Sequence, residues 1–131
     1  MTVGTFDGIH LGHQKIIEKV RKYAHDLKVK SLLFTFEPHP KLVVARSGVD
    51  VKLLTSIEEK IHVLEQTGLD TLVVSNFTKS FAATSAEDFV RTILVEKLSM
   101  KTIVLGHDHA FGRDRQGNQE LLQRLGSELD F

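Results

Sequence analysis

The sequence predicts an α/β fold, a doubly wound parallel sheet with helices on both faces. Four short apolar runs rich in β-forming residues alternate with segments whose apolar residues recur at helical spacing. Loops rich in glycine, proline and histidine follow the first, second and fourth runs, where ligands bind in such sheets. The chain has 131 residues, 41% of them hydrophobic, which suits one domain with its own core.

The first half of the sheet is predicted from two apolar runs and the helix between them. Residues 1–3 lead into a glycine-containing turn, and residues 14–27 carry apolar side chains at helical spacing. Residues 29–36 form a nearly continuous apolar run, typical of a strand covered on both faces. Pro38 and Pro40 are predicted to end this second strand.

A loop and a capped helix are predicted next. Residues 41–52 indicate an irregular crossing loop. Thr55 and Glu58 have the spacing of a capping box, which predicts a helix to about Gln66, with Gly68 as its stop.

The second half repeats the alternation of strand and helix. Residues 70–75 predict the third strand, residues 101–105 the fourth, and residues 119–129 the last helix. Ser85 is the predicted start of the intervening helix. Its predicted buried stripe consists of Phe89, Val90, Ile93, Leu94 and Leu98.

Residues 4–13, GTFDGIHLGH, have the character of a phosphate-binding turn between a strand and a helix. The first turn of a helix has unpaired backbone N–H groups and partial positive charge, which favour phosphate. His10 and His13 lie three residues apart and are predicted to project to the same side, while Gly12 leaves space for a ligand. A zinc site made by these histidines with Asp108 or His109 is an open alternative.

The composition narrows the class of partner. Seventeen basic residues balance seventeen acidic ones, so no nucleic acid is expected to bind by bulk charge. No apolar run approaches the roughly 20 residues that cross a bilayer, so no membrane partner is expected. The absence of cysteine agrees with a reducing compartment, and the predicted location is the cytoplasm.

Three segments in this order resemble one protein family. Residues 4–13 resemble the H-x-G-H loop of nucleotidylyltransferases, residues 34–40 (FTFEPHP) resemble an F-x-P-x-P segment, and residues 106–118 resemble a G-x-D-x-x-F-G-x-x-R-x-G-[DN] segment. Together they are similar to the FMN adenylyltransferase (FAD synthetase) module of bacterial bifunctional riboflavin kinase/FMN adenylyltransferases. The resemblance implies a Rossmann-like fold of the nucleotidylyltransferase type.

The resemblance implies transfer of AMP from ATP to FMN, with Mg²⁺, giving FAD and pyrophosphate. It assigns catalysis to His10 and His13. Nucleotide and phosphate contacts are implied for Gly4, Thr5, Phe6, Asp7, Gly12, His39, Asp108, Arg115 and Asn118. Flavin contacts are implied for Pro38, Phe77 and Phe81, and a place near Mg²⁺ for Asn118.

The chain departs from the family pattern in two respects. Ala110 stands where the family usually has arginine. The family module continues beyond a segment that matches Phe131, through an Ile-Ser-Ser-Thr-x-Ile-Arg motif, and a riboflavin kinase domain follows. We therefore expect residues 1–131 to be a partial adenylyltransferase domain of a longer protein, binding nucleotide weakly by itself and transferring adenylyl slowly or not at all.

Two other functions compete with this interpretation. A nucleotidylyltransferase of this type can act on another phosphorylated acceptor, such as nicotinamide mononucleotide or phosphopantetheine. A non-catalytic nucleotide-binding domain would use the same loop.

Overall fold

The computed structural model describes residues 1–45, 51–106 and 110–131. Its strands are Thr2–Val3 (β1), Leu32–Glu37 (β2) and Thr71–Asn76 (β3). Its α-helices are Leu11–Asp26 (α1), Pro40–Val44 (α2), Ile57–Glu65 (α3), Lys79–Ala82 (α4), Ala86–Asp88 (α5) and Gln119–Leu129 (α6). A π-helix spans Phe89–Lys97, and a 3₁₀ turn spans Arg113–Arg115.

The three strands form one parallel sheet in the order β1-β2-β3. Val3 lies opposite Phe34, and Phe34 lies opposite Val73. The predicted parallel sheet is confirmed, and its strands end at a common edge.

The predicted fourth strand, residues 101–105, is wrong as an assigned strand. This segment has no regular secondary structure and lies beside Met1, whose amino group donates to the carbonyl oxygen of Thr102 at 2.7 Å. The amide of Val104 donates to the carbonyl oxygen of Met1 at 2.9 Å. Both bonds join the segment to Met1, which precedes β1, and two bonds to one residue do not make a strand.

Helices cover both faces of the sheet, as predicted. Adjacent residues of β2 point to opposite faces and pack in different clusters. Leu33 packs in a cluster with Ile17 of α1 and Leu64 of α3. Phe34 packs in a second cluster, whose members include Leu94 of the π-helix and Leu125 of α6.

Helix α1 begins three residues before its predicted start and buries Ile17, Val20 and Ala24. Within the described ranges, no helix combines the length and the apolar character needed to span a membrane.

The capping box of α3 is present one residue later than predicted. Ser56 accepts a hydrogen bond from the Glu59 amide at 3.2 Å, and the Glu59 carboxylate accepts one from the Ser56 amide at 2.8 Å. Thr55 contacts the β1–α1 loop instead, because its amide and hydroxyl donate to Asp7. The β1–α1 loop comprises residues 4–10. The contact of Thr55 with this loop leaves Ser56 as the residue that caps α3.

Part of the predicted crossing loop is helical. Pro40 occupies the first turn of α2, where its missing N–H costs no hydrogen bond. His39 caps the helix, because its Nδ1 accepts from the Lys41 amide at 3.1 Å. Residues 46–50 of the predicted loop lie outside the described residues.

Ser85 is a helix start, as predicted, and its hydroxyl accepts from the Asp88 amide at 3.0 Å. The helix becomes a π-helix after Asp88, which corrects the predicted α-helix. Periodicity did not separate the two, since the π-helix buries Phe89, Val90 and Leu94 of the stripe predicted for a helix.

Candidate functional site

A cleft of about 1230 Å³ opens where the carboxyl ends of the strands meet. It is lined by the β1–α1 loop and the start of α1, by the segments that follow β2 and β3, and by residues 105–106 and 110–115. This is the edge at which open α/β sheets bind ligands.

Most of the predicted site residues line this cleft. From the first loop and helix they are residues 4–7, His10, Gly12 and His13. From the other segments they are His39, Phe77, Phe81 and Arg115. Pro38 and Asn118 are described but do not line the cleft, and Asp108 lies outside the described residues.

The N-terminus of α1 is open toward this cleft. His10 is its N-cap residue, and within the described part of the chain no side chain caps the helix. The amide of Gln14 makes the first intrahelical bond, to the carbonyl oxygen of His10 at 3.1 Å. The amides that precede it and the helix dipole are therefore available to an anion.

His10 and His13 lie together, as their spacing predicts. Their rings stack with centroids 3.8 Å apart and planes 19° from parallel, and Phe6 contacts the other side of His13 at 4.7 Å. A Cβ atom on Gly12 would lie 3.1 Å from the His10 ring. Glycine at position 12 therefore makes room for the imidazole itself.

His13 is held as a neutral ring. Burial lowers its pKa most, and the neighbouring His10 and Lys60 lower it further, against the opposing effect of Asp7. Its Nδ1 atom is buried and has no hydrogen-bond partner among the described residues. A buried N–H without an acceptor is costly, so the neutral ring carries its proton on Nε2.

Asp7 ties the β1–α1 loop to the turn before α3. Its carboxylate accepts from the amides of Leu54 and Thr55 at 2.9 and 3.0 Å, while the Thr55 hydroxyl receives a bond from the Gly8 amide at 3.2 Å. Partial burial opposes ionisation, but these hydrogen bonds outweigh it and lower the pKa of Asp7. The carboxylate is thus engaged by protein, and its predicted nucleotide contact stays a prediction.

Lys60 is a residue that the sequence reasoning missed. It is 4% exposed, and its Nζ donates to the carbonyl oxygen of Thr5 at 2.7 Å. The same oxygen accepts from the hydroxyl of Thr35 at 3.2 Å. A signal was present, since Lys60 lies four residues before Leu64 on the buried face of α3.

His39 is 7% exposed and lines the cleft. Burial lowers its pKa most, and the charges of Lys60 and Lys41 lower it further, against Asp7 and Glu37. Since Nδ1 accepts the bond from the Lys41 amide, the neutral ring carries its proton on Nε2. The bond to Lys41 orients the His39 ring in the cleft, and its predicted phosphate contact stays a prediction.

Part of the cleft lining is aromatic. Phe36 contacts Phe77 and Phe81 with ring centroids at 5.3 and 5.8 Å, and Phe81 contacts Phe89 at 5.9 Å. All four rings line the cleft. A planar apolar group would find edge and face contacts here.

Residues 110–115 line the cleft, and the segment 110–117 is shaped by its glycines. A Cβ atom on Gly112 would lie 2.6 Å from Ala86, and Gly112 has a φ of 73°. A Cβ atom on Gly117 would lie 2.6 Å from the carbonyl oxygen of Phe111, which pairs with Gly117 in an isolated β-bridge. The side chain of Arg115 is exposed and lines the cleft.

Asn118 is the N-cap of α6, and its side-chain oxygen accepts from the Leu121 amide at 2.9 Å. The predicted phosphate and Mg²⁺ contacts of Asn118 stay predictions. Within residues 1–45, 51–106 and 110–131, no group of three His, Asp or Glu residues could hold a metal ion. The zinc alternative involves residues 107–109, which lie outside the described residues.

The chain is similar to proteins whose names include FMN adenylyltransferase or FAD synthetase. A model of the FAD synthetase family matches residues 1–131. The bifunctional riboflavin kinase/FMN adenylyltransferases of Buchnera aphidicola subsp. Acyrthosiphon pisum and Escherichia coli K12 are 38% and 32% identical over 131 residues. The chain covers 42% of each relative's length and so spans less than half of them.

A solved structure shares the fold. The crystal structure of a macrolide-efflux protein from Streptococcus pneumoniae matches with a TM-score of 0.81 and 29% sequence identity. The match covers 94% of this chain and 40% of that one.

Proposed function

The chain belongs to the FAD synthetase family, and from that membership we propose that the protein transfers the adenylyl group of ATP to FMN. The products are FAD and pyrophosphate. The observation that carries the proposal is a cleft that combines two features: the N-terminus of α1, which no described side chain caps, with the stacked rings of His10 and His13, and a group of phenylalanine rings. The helix N-terminus suits a polyphosphate, and the phenylalanines suit a planar ring.

The reaction is an in-line displacement at phosphorus. An oxygen of the FMN phosphate attacks the α-phosphorus of ATP, the bond to the bridging oxygen of the β-phosphate breaks, and pyrophosphate leaves with that electron pair. The protein supplies no nucleophile. Its task is to align two mutually repelling anions and to stabilise the charge on the transferring group.

We assign that stabilisation to the start of α1. His13 donates from Nε2 to the α-phosphate, His10 donates on the side of the β- and γ-phosphates, and the first backbone amides of α1 contribute to both. Arg115, which also lines the cleft, adds a cation. The phenylalanines of the cleft, Phe77 and Phe81, hold the flavin ring.

Mg²⁺ is part of the proposal. Because no group of protein carboxylates is ready to enclose it among the described residues, we expect its ligands to be mainly phosphate oxygens of ATP and water. When bound, Mg²⁺ offsets the negative charge of the phosphates.

The names of the relatives extend the proposal to the whole protein. We propose that it also phosphorylates riboflavin to FMN, through a riboflavin kinase domain. Kinase activity on riboflavin, measured with the full-length protein, tests this part separately. A cytoplasmic location is part of the proposal and is supported by the absence of cysteine.

The adenylyl transfer is tested by incubating the protein with FMN and Mg-ATP and separating the flavins by chromatography. FAD and pyrophosphate should appear in equal amounts. Nicotinamide mononucleotide and phosphopantetheine serve as control acceptors under the same conditions. Turnover of either control acceptor with FMN left unchanged would refute the assignment.

A further inference from the structure

The carbonyl oxygen of Thr5 receives two buried donors. Lys60 reaches it from α3 across 55 positions of sequence, with Nζ at 2.7 Å, and the fully buried Thr35 reaches it from β2 at 3.2 Å. Thr5 itself lies in the β1–α1 loop and lines the cleft. The β1–α1 loop is thus held by Lys60 and Thr35, which do not line the cleft themselves.

A hydrogen bond alone does not explain a lysine here. Burying an ammonium group costs several kcal/mol, and the neutral hydroxyl of Thr35 already meets the same oxygen. Burial lowers the pKa of Lys60 most, and the carboxylates of Glu37 and Asp7 oppose this effect. Of these two carboxylates, Asp7 lines the cleft and Glu37 ends β2. The lysine charge in turn lowers the pKa of the cleft residues His13 and His39.

We propose that Lys60 is a positioning residue for the phosphate site. Its buried ammonium group holds the β1–α1 loop through Thr5 and places a fixed positive charge behind that loop. It does not touch the ligand, since Lys60 does not line the cleft. The nature of the ligand, a nucleoside triphosphate, rests on the function proposed above.

Three variants separate the charge from the hydrogen bond. Lys60→Met removes both at similar side-chain length, Lys60→Arg keeps the charge, and Thr35→Val removes the neutral donor as the matched control. Replacing a buried charge with an apolar side chain is often neutral or stabilising, so we expect Lys60→Met to fold. Thermal unfolding measurements check that Lys60→Met is folded. Should that variant fail to fold, Lys60→Gln replaces it as the variant without the charge.

The measurement is calorimetric titration with ATP and with adenosine. We expect Lys60→Met to weaken ATP binding about tenfold and adenosine binding less than about twofold, because the charge acts on the phosphates. Lys60→Arg and Thr35→Val should stay within about threefold of the unmodified protein for ATP. Unchanged ATP affinity in Lys60→Met, or equal loss for ATP and adenosine, would overturn the proposal.

Nuclear magnetic resonance titration of the histidines gives a second measurement that needs no ligand. Removing the charge of Lys60 should raise the pKa of His13, since one of the influences that lower it disappears. An unchanged His13 pKa would contradict an effect of the Lys60 charge on the site. Absence of FAD synthesis in the unmodified protein would refute the proposed function, while the comparison of ATP with adenosine would still decide the role of Lys60.

Discussion

The N-termini of α1 and α3 are built in opposite ways. Helix α3 has a complete capping box, formed by Ser56 and Glu59, and Glu58 adds a further acid to its first turn. Helix α1 has neither a side-chain cap among the described residues nor an acid in its first turn, although it is the longer helix, at 16 residues against 9. Its end carries His10 and His13 instead.

The difference shows how a helix end is kept for a ligand. The acids and the cap of α3 satisfy its amides and offset its partial positive charge, which stabilises the fold. The same groups on α1 would compete with phosphate. The loop before α1 is held by other elements, through the bonds of Asp7 to the turn before α3 and of Lys60 to Thr5. Tertiary contacts thus stabilise the open end without filling it.

The largest expected effect comes from removing the side chain of His13 at the N-terminus of α1. We predict that His13→Ala lowers turnover in FAD synthesis about a hundredfold or more, since one such donor contributes roughly 3 kcal/mol in the transition state. ATP binding should change much less. Steady-state kinetics decides, because normal turnover with only a raised KM for ATP would make His13 a binding contact.

A second substitution turns the open end into a capped one. His10→Asp supplies the α1 N-cap with a carboxylate that accepts from the helix amides. We predict that ATP binds about thirtyfold more weakly, because that carboxylate repels phosphate and occupies its donors. The melting temperature should rise by a few degrees, since a cap contributes about 1 kcal/mol. A lower melting temperature together with unchanged ATP affinity would contradict the view that the N-terminus of α1 lacks a cap because it binds phosphate.

The third prediction concerns Asp7, which holds the β1–α1 loop before the N-terminus of α1. Asp7→Asn removes the charge that accepts from Leu54 and Thr55, and we expect a loss of about 1.5 kcal/mol in the free energy of unfolding at pH 7. The folded-state pKa of Asp7 is lowered from 3.8, so its contribution is present above about pH 4. It is lost as the pH falls through the lowered pKa.

Urea unfolding of both proteins at pH 7 and pH 3 measures this. The difference in stability between the unmodified protein and Asp7→Asn should shrink at the lower pH. A difference of the same size at both pH values would contradict the pKa argument.

The smallest effect comes from the capped end. Ser56→Ala should lower stability by about 1 kcal/mol, or roughly 4 °C in melting temperature, and leave the kinetics unchanged. Asn118→Ala at α6 is the matched cap variant, with a similar expected loss of stability. If Asn118 also contacts the nucleotide, as the sequence predicts, only this variant raises the KM for Mg-ATP. An unchanged KM would refute that contact.

The elements that could be predicted are those whose signal is local. The turn glycines and the i, i+3 spacing of His10 and His13 predict the loop and the ring pair, and the rings are found 3.8 Å apart. The last helix lies at residues 119–129, where its pattern predicts it. The frame of the α3 cap was predicted one residue too early because Thr55 and Ser56 are equivalent as caps locally, and the distant Asp7 selects between them.

By itself, the sequence determined the parallel sheet covered on both faces, the place of the cleft at the strand ends, and the resemblance to one family. Only the tertiary structure decided which polar groups are engaged. Asp7 is bound to Thr55, Asn118 caps α6, and Lys60 lies buried behind Thr5. Periodicity reports burial along one element, whereas a hydrogen bond between α3 and a loop 55 positions away depends on how the elements pack. That packing places the ammonium group of Lys60 against the β1–α1 loop.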